Sequence, residues 1–160
     1  MHGVRLAAAS DIETLGRLRW QMHVEESDAE VPEDEFLARF KSWAGGALRE
    51  GRWQVWVAVV DGSPVGHVYV ELIDKVPRPA SSPTTWGYLT AFYIQPQFRN
   101  MGLGGQLLSA AIEWASSEGL EFVLLWPSER SVSLYKRFGF VEVGEGLSLQ
   151  FGASRHAKEP

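Results

Sequence analysis

The chain contains no cysteine. Disulfides, thiolate nucleophiles and cysteine-based metal sites are therefore excluded. Histidine is scarce: four occur, at positions 2, 23, 67 and 156, and none forms a closely spaced ligating pair, so no metal is expected. No apolar run approaches the roughly 18 residues that a spanning helix needs, so no membrane partner is expected. The start of the chain, Met1-His2-Gly3-Val4-Arg5, lacks an apolar leader core, which makes the cytoplasm the expected location. Lys and Arg form no stripe, so nucleic acid is not an expected partner either.

What is present is enough apolar material, 45% of 160 residues, to cover both faces of a sheet in one domain. The net charge of -5 is unevenly spread. Seven acids and no base lie between residues 25 and 35, whereas the remaining 13 acids face 15 bases. The chain has one acidic segment rather than an acidic surface.

The most informative stretch is 92–108. A β-prone run ends at Pro96, which has no N–H for a ladder. Arg99-Asn100-Met101-Gly102-Leu103-Gly104-Gly105 follows, and then an amphipathic helix. The first amides of a helix lack internal partners and sit at the positive end of its dipole, so this arrangement suits an anion. No Lys-Ser/Thr follows, and Leu107 stands where a dinucleotide fingerprint needs its third glycine.

In chain order, residues 4–8 read as a strand. A helix capped by Ser10 or Asp11 follows, ending near Glu26. A second helix starts at Pro32 and is expected to weaken or stop at Gly45-Gly46. Residues 53–60 and 65–73 form a hairpin across Asp61-Gly62-Ser63-Pro64, with His67, Tyr69 and Glu71 sharing one face of its second strand. Residues 74–85, with three prolines, form a loop. A strand at 86–94, a helix at 102–117, a strand at 121–126 and a helix at 129–138 come next. A closing hairpin pairs 140–143 with 147–151. The pattern predicts an α/β or α+β fold on a mixed sheet.

The spacing Arg99-x-x-Gly102-x-Gly104 after a strand and Pro96 resembles the acyl-CoA-binding motif of the GNAT superfamily of N-acyltransferases. Leu134-Tyr135, followed by Gly139-Phe140 across a helix end, looks like that family's second signature. The resemblance covers about 4–151. It implies a single domain over 1–152, with a polar tail at 153–160. The implied fold is a mostly antiparallel twisted sheet of about seven strands, flanked by about four helices and splayed between strands 4 and 5. The implied co-substrate is acetyl-CoA, and the implied reaction is acetyl transfer to a primary amine. A non-catalytic CoA-binding or ligand-sensing module is the alternative. In such a protein backbone groups of Phe92 and Ile94 hold the pantetheine arm. The amides of Asn100, Met101, Gly102, Leu103, Gly104 and Gly105 hold the pyrophosphate, with Arg99 beside them. Ser128 falls where many relatives carry a pantetheine-contacting asparagine. Tyr135 would protonate the leaving thiolate; a phenol of pKa about 10 suits a thiol of about 8.5. The acceptor would be a small cationic amine or a protein amine, and the resemblance is compatible with a homodimer.

Some relatives use a glutamate on the fourth strand as base, and here 86–94 has no carboxylate. Glu71, His23, an acid of the 25–30 segment or a water chain are the candidates. Helix-dipole preference explains Glu33, Asp34 and Glu35, but not Glu25, Glu26, Asp28 and Glu30, which are candidates to attract a cationic acceptor. Among seven tryptophans, Trp20, Trp43 and Trp86 are candidates to wall the acceptor pocket.

Overall fold

The computed structural model describes residues 1–79, 83–144, 146, 147 and 149. Met1–Leu125 forms one compact unit, and a second begins at Trp126.

In the first unit β1 (His2–Leu6), β2 (Trp53–Val60), β3 (Ser63–Asp74), β4 (Thr85–Ile94) and β5 (Val123–Leu124) lie side by side in that order. The first three pairings are antiparallel and β4–β5 is parallel. Two helices, α1 (Ile12–Glu26) and α2 (Glu33–Glu50), connect β1 to β2, and α3 (Leu103–Ser117) crosses from β4 to β5. Side-chain alternation along the strands places Val55 and Val57 of β2 and Tyr69 of β3 against Leu15, Phe40 and Ala44 of α1 and α2. The opposite face carries Trp56, which packs edge-on against Trp114 of α3 at 5.5 Å. Leu107 and Leu108 of α3 are fully buried. The β4–β5 ladder, among the described residues, holds two pairs, Gly87↔Val123 and Tyr88↔Leu124, both in the first half of β4. The ladder is thus as short as β5 itself, which is two residues long.

Several expectations need correction. β1 starts at His2 and stops at Leu6, because the Ala8 amide donates to Asp11 Oδ2 (2.7 Å) instead of a ladder. α2 runs through Gly45-Gly46 to Glu50 and ends at Gly51 in the left-handed region (φ 72°). Each interior glycine costs about 1 kcal/mol, but Phe40, Ala44 and Ala47 on the same helix are buried, and tertiary packing outweighs propensity. The described residues hold five strands, not about seven. Residues 140–143 form no strand, and Val141 and Val143 are largely exposed, so their β-propensity has no surface to pack on. Of the expected 147–151 partner, residues 148, 150 and 151 lie outside the described residues. In the second unit α4 (Val132–Arg137) follows a 3-10 turn at Glu129–Ser131 and is closed by Gly139 at φ 89°. Among the described residues no helix is long and apolar enough to cross a membrane.

The start of α1 is pinned by a buried carboxylate. Asp11 is 5% exposed, takes both Arg5 guanidinium nitrogens at 2.7 and 2.9 Å, and accepts the Ala8 amide. The Arg5 bonds, assisted by that amide, hold its carboxyl below the usual range. Its native pKa is thus below the unfolded value of about 3.9, so its contribution is complete above that value and is lost as pH falls through the native one. Asp11→Asn should lower stability at pH 7 by about 2 kcal/mol and flatten the stability curve below about pH 4. Urea unfolding at pH 7 and pH 3 checks both; an equal loss at the two pH values would refute the assignment.

A bulge sits in β4. Gly66 pairs with Ile94 and His67 with Tyr93, but Tyr69 pairs with Thr90, so Ala91 and Phe92 together oppose Val68. Ala91 has φ 51°, a left-handed conformation uncommon for a residue with a Cβ. Opposite Ile94, Gly66 is required by close approach: a Cβ there would lie 2.6 Å from the Tyr93 carbonyl oxygen.

Candidate active site

Beyond Ile94 the chain makes one 3-10 turn, Pro96–Phe98, closed by bonds from the Phe98 amide to the Gln95 carbonyl (2.9 Å) and from the Arg99 amide to the Pro96 carbonyl (3.2 Å). Asn100 (φ 62°) and Gly102 (φ 78°) then take left-handed conformations and turn the chain into α3. The N-cap is Gly102, so no side chain caps the helix, and the first turn holds no acid. α2, by contrast, places Glu33, Asp34 and Glu35 in its first turn. The amides of Leu103, Gly104 and Gly105 precede the first i→i+4 bond of α3, from the Gln106 amide to the Gly102 carbonyl (3.1 Å). The turn therefore offers backbone donors and a positive dipole end, and α3 brings no carboxylate of its own to its first turn. Leu103 anchors the turn in the core at 1% exposure, while Met101 is exposed.

Arg99 is held in place. Its Nε donates to the Ile94 carbonyl at 2.9 Å, and its Nη2 lies 2.7 and 2.8 Å from the two carboxylate oxygens of Glu25. The guanidinium also lies 5.7 Å from the centroid of the Tyr93 ring, whose hydroxyl donates to Glu25 at 3.3 Å. Two residues assigned separately, Arg99 to the donor and Glu25 to the acceptor, are thus joined in one ion pair that ties the end of α1 to the end of β4. The Gln95 amide adds a 2.8 Å bond to Gln21 of α1.

The remaining candidates are dispersed. Glu71 of β3 is 2.9 Å from Arg52 Nε and stands opposite Tyr88 in the ladder. Trp86 is at the other end of β4 from Ile94, eight residues away or about 26 Å of strand, and stacks on Phe122 at 5.3 Å. Trp20 packs on Phe36 at 5.8 Å, and Trp43 on Trp53 at 5.3 Å, within a run of aromatics along α1, α2 and β2. His23 Nδ1 is 2.8 Å from Asp28, and Glu26 lies beside them, so these three bring ligating atoms within 4.8 Å of one another. In the second unit Ser128 precedes the 3-10 turn, and its Oγ is 2.9 Å from the Ser131 hydroxyl. Tyr135 is 6% exposed and meets Phe140 edge-on at 5.6 Å. Burial pushes its phenol up to about 12.

Sequence reasoning missed His67. It is fully buried, and its ring nitrogen Nδ1 lies 2.6 Å from the carbonyl oxygen of bulge residue Ala91. A carbonyl only accepts, so Nδ1 carries the proton and Nε2 the lone pair. Burial lowers its pKa to about 3, so the ring is neutral at pH 7. The signal was there, in a histidine facing the sheet interior beside Tyr69, but its partner exists only because of the bulge.

The acetyltransferase (GNAT) family model matches residues 12–140. An uncharacterized N-acetyltransferase of Methanocaldococcus jannaschii is 28% identical over 121 residues, covering 68% of this chain and 50% of that protein. The chain thus spans about half the length of that curated relative. A predicted acetyltransferase of Clostridium acetobutylicum, solved with acetyl-CoA, superposes with a TM-score of 0.79 at 22% identity, covering 94% of this chain and 96% of the other. A GCN5-related N-acetyltransferase of Ralstonia eutropha gives 0.76 at 25% identity, covering 95% and 100%. With the family model running through the strand, the glycine-rich turn, α3 and the Tyr135 helix, the chain belongs to the GNAT acetyltransferase family.

Proposed function

We propose that the protein is an acetyl-CoA-dependent N-acetyltransferase acting on a primary amine, by direct attack of the amine on the thioester. The observation that carries this reading is the uncapped, acid-free start of α3 behind two left-handed residues, in a chain of this family. The amides of residues 100–105 would hold the pyrophosphate, and backbone groups of Phe92 and Ile94 the pantetheine arm. Ser128 would contact the same arm. As the neutral amine nitrogen forms its bond to the carbonyl carbon, the carbon–sulfur bond breaks and Tyr135 gives its proton to the sulfur; the extra N–H proton of the acylated nitrogen passes to water, and the Tyr135 phenolate regains a proton from solvent. The family model spans both compact units, which supports reading 1–152 as one domain. Calorimetry with acetyl-CoA, followed by thiol release against a panel of amines, tests the reading. Absence of binding would overturn it.

The second reading, a CoA-binding module without catalysis, draws on the state of the candidate bases. Glu71 is paired with Arg52, Glu25 with Arg99, and His67 holds no proton-accepting role near neutrality that solvent can reach. Binding without turnover on any amine would favour it.

The acceptor is proposed to be small and cationic, drawn by the acids at the end of α1. Glu25 is a poor probe of this, since removing it also releases Arg99. Glu26→Gln combined with Glu30→Gln isolates the charge. The pair should raise the acceptor KM about fivefold and leave the acetyl-CoA Kd unchanged, as expected for two solvent-screened charges. Steady-state kinetics at low and at 0.5 M salt (high enough to screen the charges) checks it; an unchanged KM at low salt would rule the attraction out.

A further inference from the structure

We propose that His67 is a positioning residue whose Nδ1–H bond to the Ala91 carbonyl locks the β4 bulge and so sets the direction of the backbone at Phe92 and Ile94. The inference rests on the acetyl-CoA reading above, in which those backbone groups hold the donor.

The physical case starts from an imbalance. His67 is 0% exposed, and among the described residues its Nε2 has no hydrogen-bond partner; nor does the hydroxyl of Tyr69, whose ring lies 5.1 Å away. Leaving a buried polar atom without a partner is destabilising. An aliphatic side chain would fill the same space without that cost. The return on burying an imidazole here is the one bond it does make, and that bond is to the strained residue of the bulge. Ala91 at φ 51° lies outside the extended region, in a left-handed conformation that is unfavourable for a residue with a Cβ. Left to itself the strand would relax toward regular pairing. A 2.6 Å bond from a rigid, fully packed ring holds the carbonyl of Ala91 toward β3. In a trans peptide the N–H points opposite to the C=O, so fixing the Ala91 carbonyl also fixes the Phe92 amide. The next pairs along the ladder, Tyr93 with His67 and Ile94 with Gly66, place the strand end that leads into the glycine-rich turn. The ring is held in turn by its contacts with Tyr69 and with Tyr93, whose centroid is 5.9 Å away. Bulges recur beside active sites because they re-aim the backbone, and this one has a dedicated side-chain latch.

Three variants separate positioning from simple core packing. His67→Asn keeps a donor close to the place of Nδ1. His67→Leu keeps apolar bulk and removes the donor. Tyr69→Phe removes the neighbouring unpaired hydroxyl and leaves the latch. Acetyl-CoA affinity is measured by calorimetry, stability by thermal unfolding, and the backbone at Ala91 by its carbon chemical shifts. His67→Leu should weaken acetyl-CoA binding about tenfold and shift Ala91 out of its left-handed signature, even where Tm is preserved. His67→Asn should restore both to within about threefold of wild type although it leaves a small cavity that lowers Tm. Tyr69→Phe should leave binding unchanged. The proposal is overturned if Ala91 keeps its signature in His67→Leu, or if that signature is lost with affinity intact. It is overturned equally if Asn and Leu weaken binding alike. If wild type itself does not bind acetyl-CoA, the functional reading fails separately, and the Ala91 shifts still decide whether His67 holds the bulge.

Discussion

Tyr135→Phe should lower kcat about 100-fold while changing the acetyl-CoA KM less than threefold. The substitution removes one oxygen from a ring that is 6% exposed and packed edge-on against Phe140, so the ring contacts and the helix remain. What is lost is a proton donor, and positioned acid catalysis is worth about 10²–10⁴ in rate. Burial raises the phenol to about 12, so the hydroxyl keeps its proton throughout the range in which the protein is assayed. A raised native pKa means the neutral form is favoured by folding. Its contribution to stability is complete below the unfolded value of about 10 and fades as pH climbs through the native one. Wild-type kcat should therefore show no falling limb from this group between pH 7 and 10. A thiolate leaving group can also be expelled without a proton when its thiol is acidic enough. A more acidic acyl thiol should consequently narrow the gap between Tyr135→Phe and wild type. Equal kcat in the two proteins with acetyl-CoA itself would remove Tyr135 from the chemistry.

How much of this was legible in the residues varies with how local the cause is. The turn at 96–105 was readable because its causes lie within it: Pro96 ends ladder donation, Gly102 accepts a positive φ, and the helix starts without a side-chain cap. The α1 start was readable for the same reason, although the partner of Asp11 proved to be Arg5 and the Ala8 amide rather than the helix itself. Non-local causes were not legible. The α2 glycines looked like a stop because propensity is visible in sequence and the packing of Ala44 and Ala47 is not. The bulge at Ala91 depends on how β4 registers against β3, and a one-residue slip in pairing leaves no mark on either strand alone. His67 and its partner carbonyl are 24 residues apart and meet only through that register. The pairing of Arg99 with Glu25 spans 74 residues and joins two assignments that sequence reasoning had kept apart.

Gly102→Val should weaken acetyl-CoA binding about 100-fold and cost only a few degrees in Tm. Gly102 is the N-cap of α3 at φ 78° and ψ -1°, in the left-handed region where a β-branched residue is a genuine outlier. A Cβ built there meets nothing within 4 Å, so no clash damages the core. The penalty is backbone strain, about 1–2 kcal/mol, and the turn can relieve it by rotating residues 100–103. Relief comes at the expense of the amide directions that a pyrophosphate would use. Hydrogen bonds to a charged oxygen contribute about 1.5–3 kcal/mol each, so misdirecting one or two gives about 3 kcal/mol, or roughly 100-fold in Kd. Gly102→Ala, which tolerates the left-handed region better than valine, should fall between the two. S-acetylpantetheine lacks the pyrophosphate, and its affinity should be the same in Gly102→Val and wild type. Calorimetry with both ligands makes the distinction. A 100-fold loss confined to acetyl-CoA places the anion at this turn. An equal loss for both ligands would mean that the substitution disturbs the β4 end rather than the phosphate cradle, and no loss for either would remove the turn from the donor site.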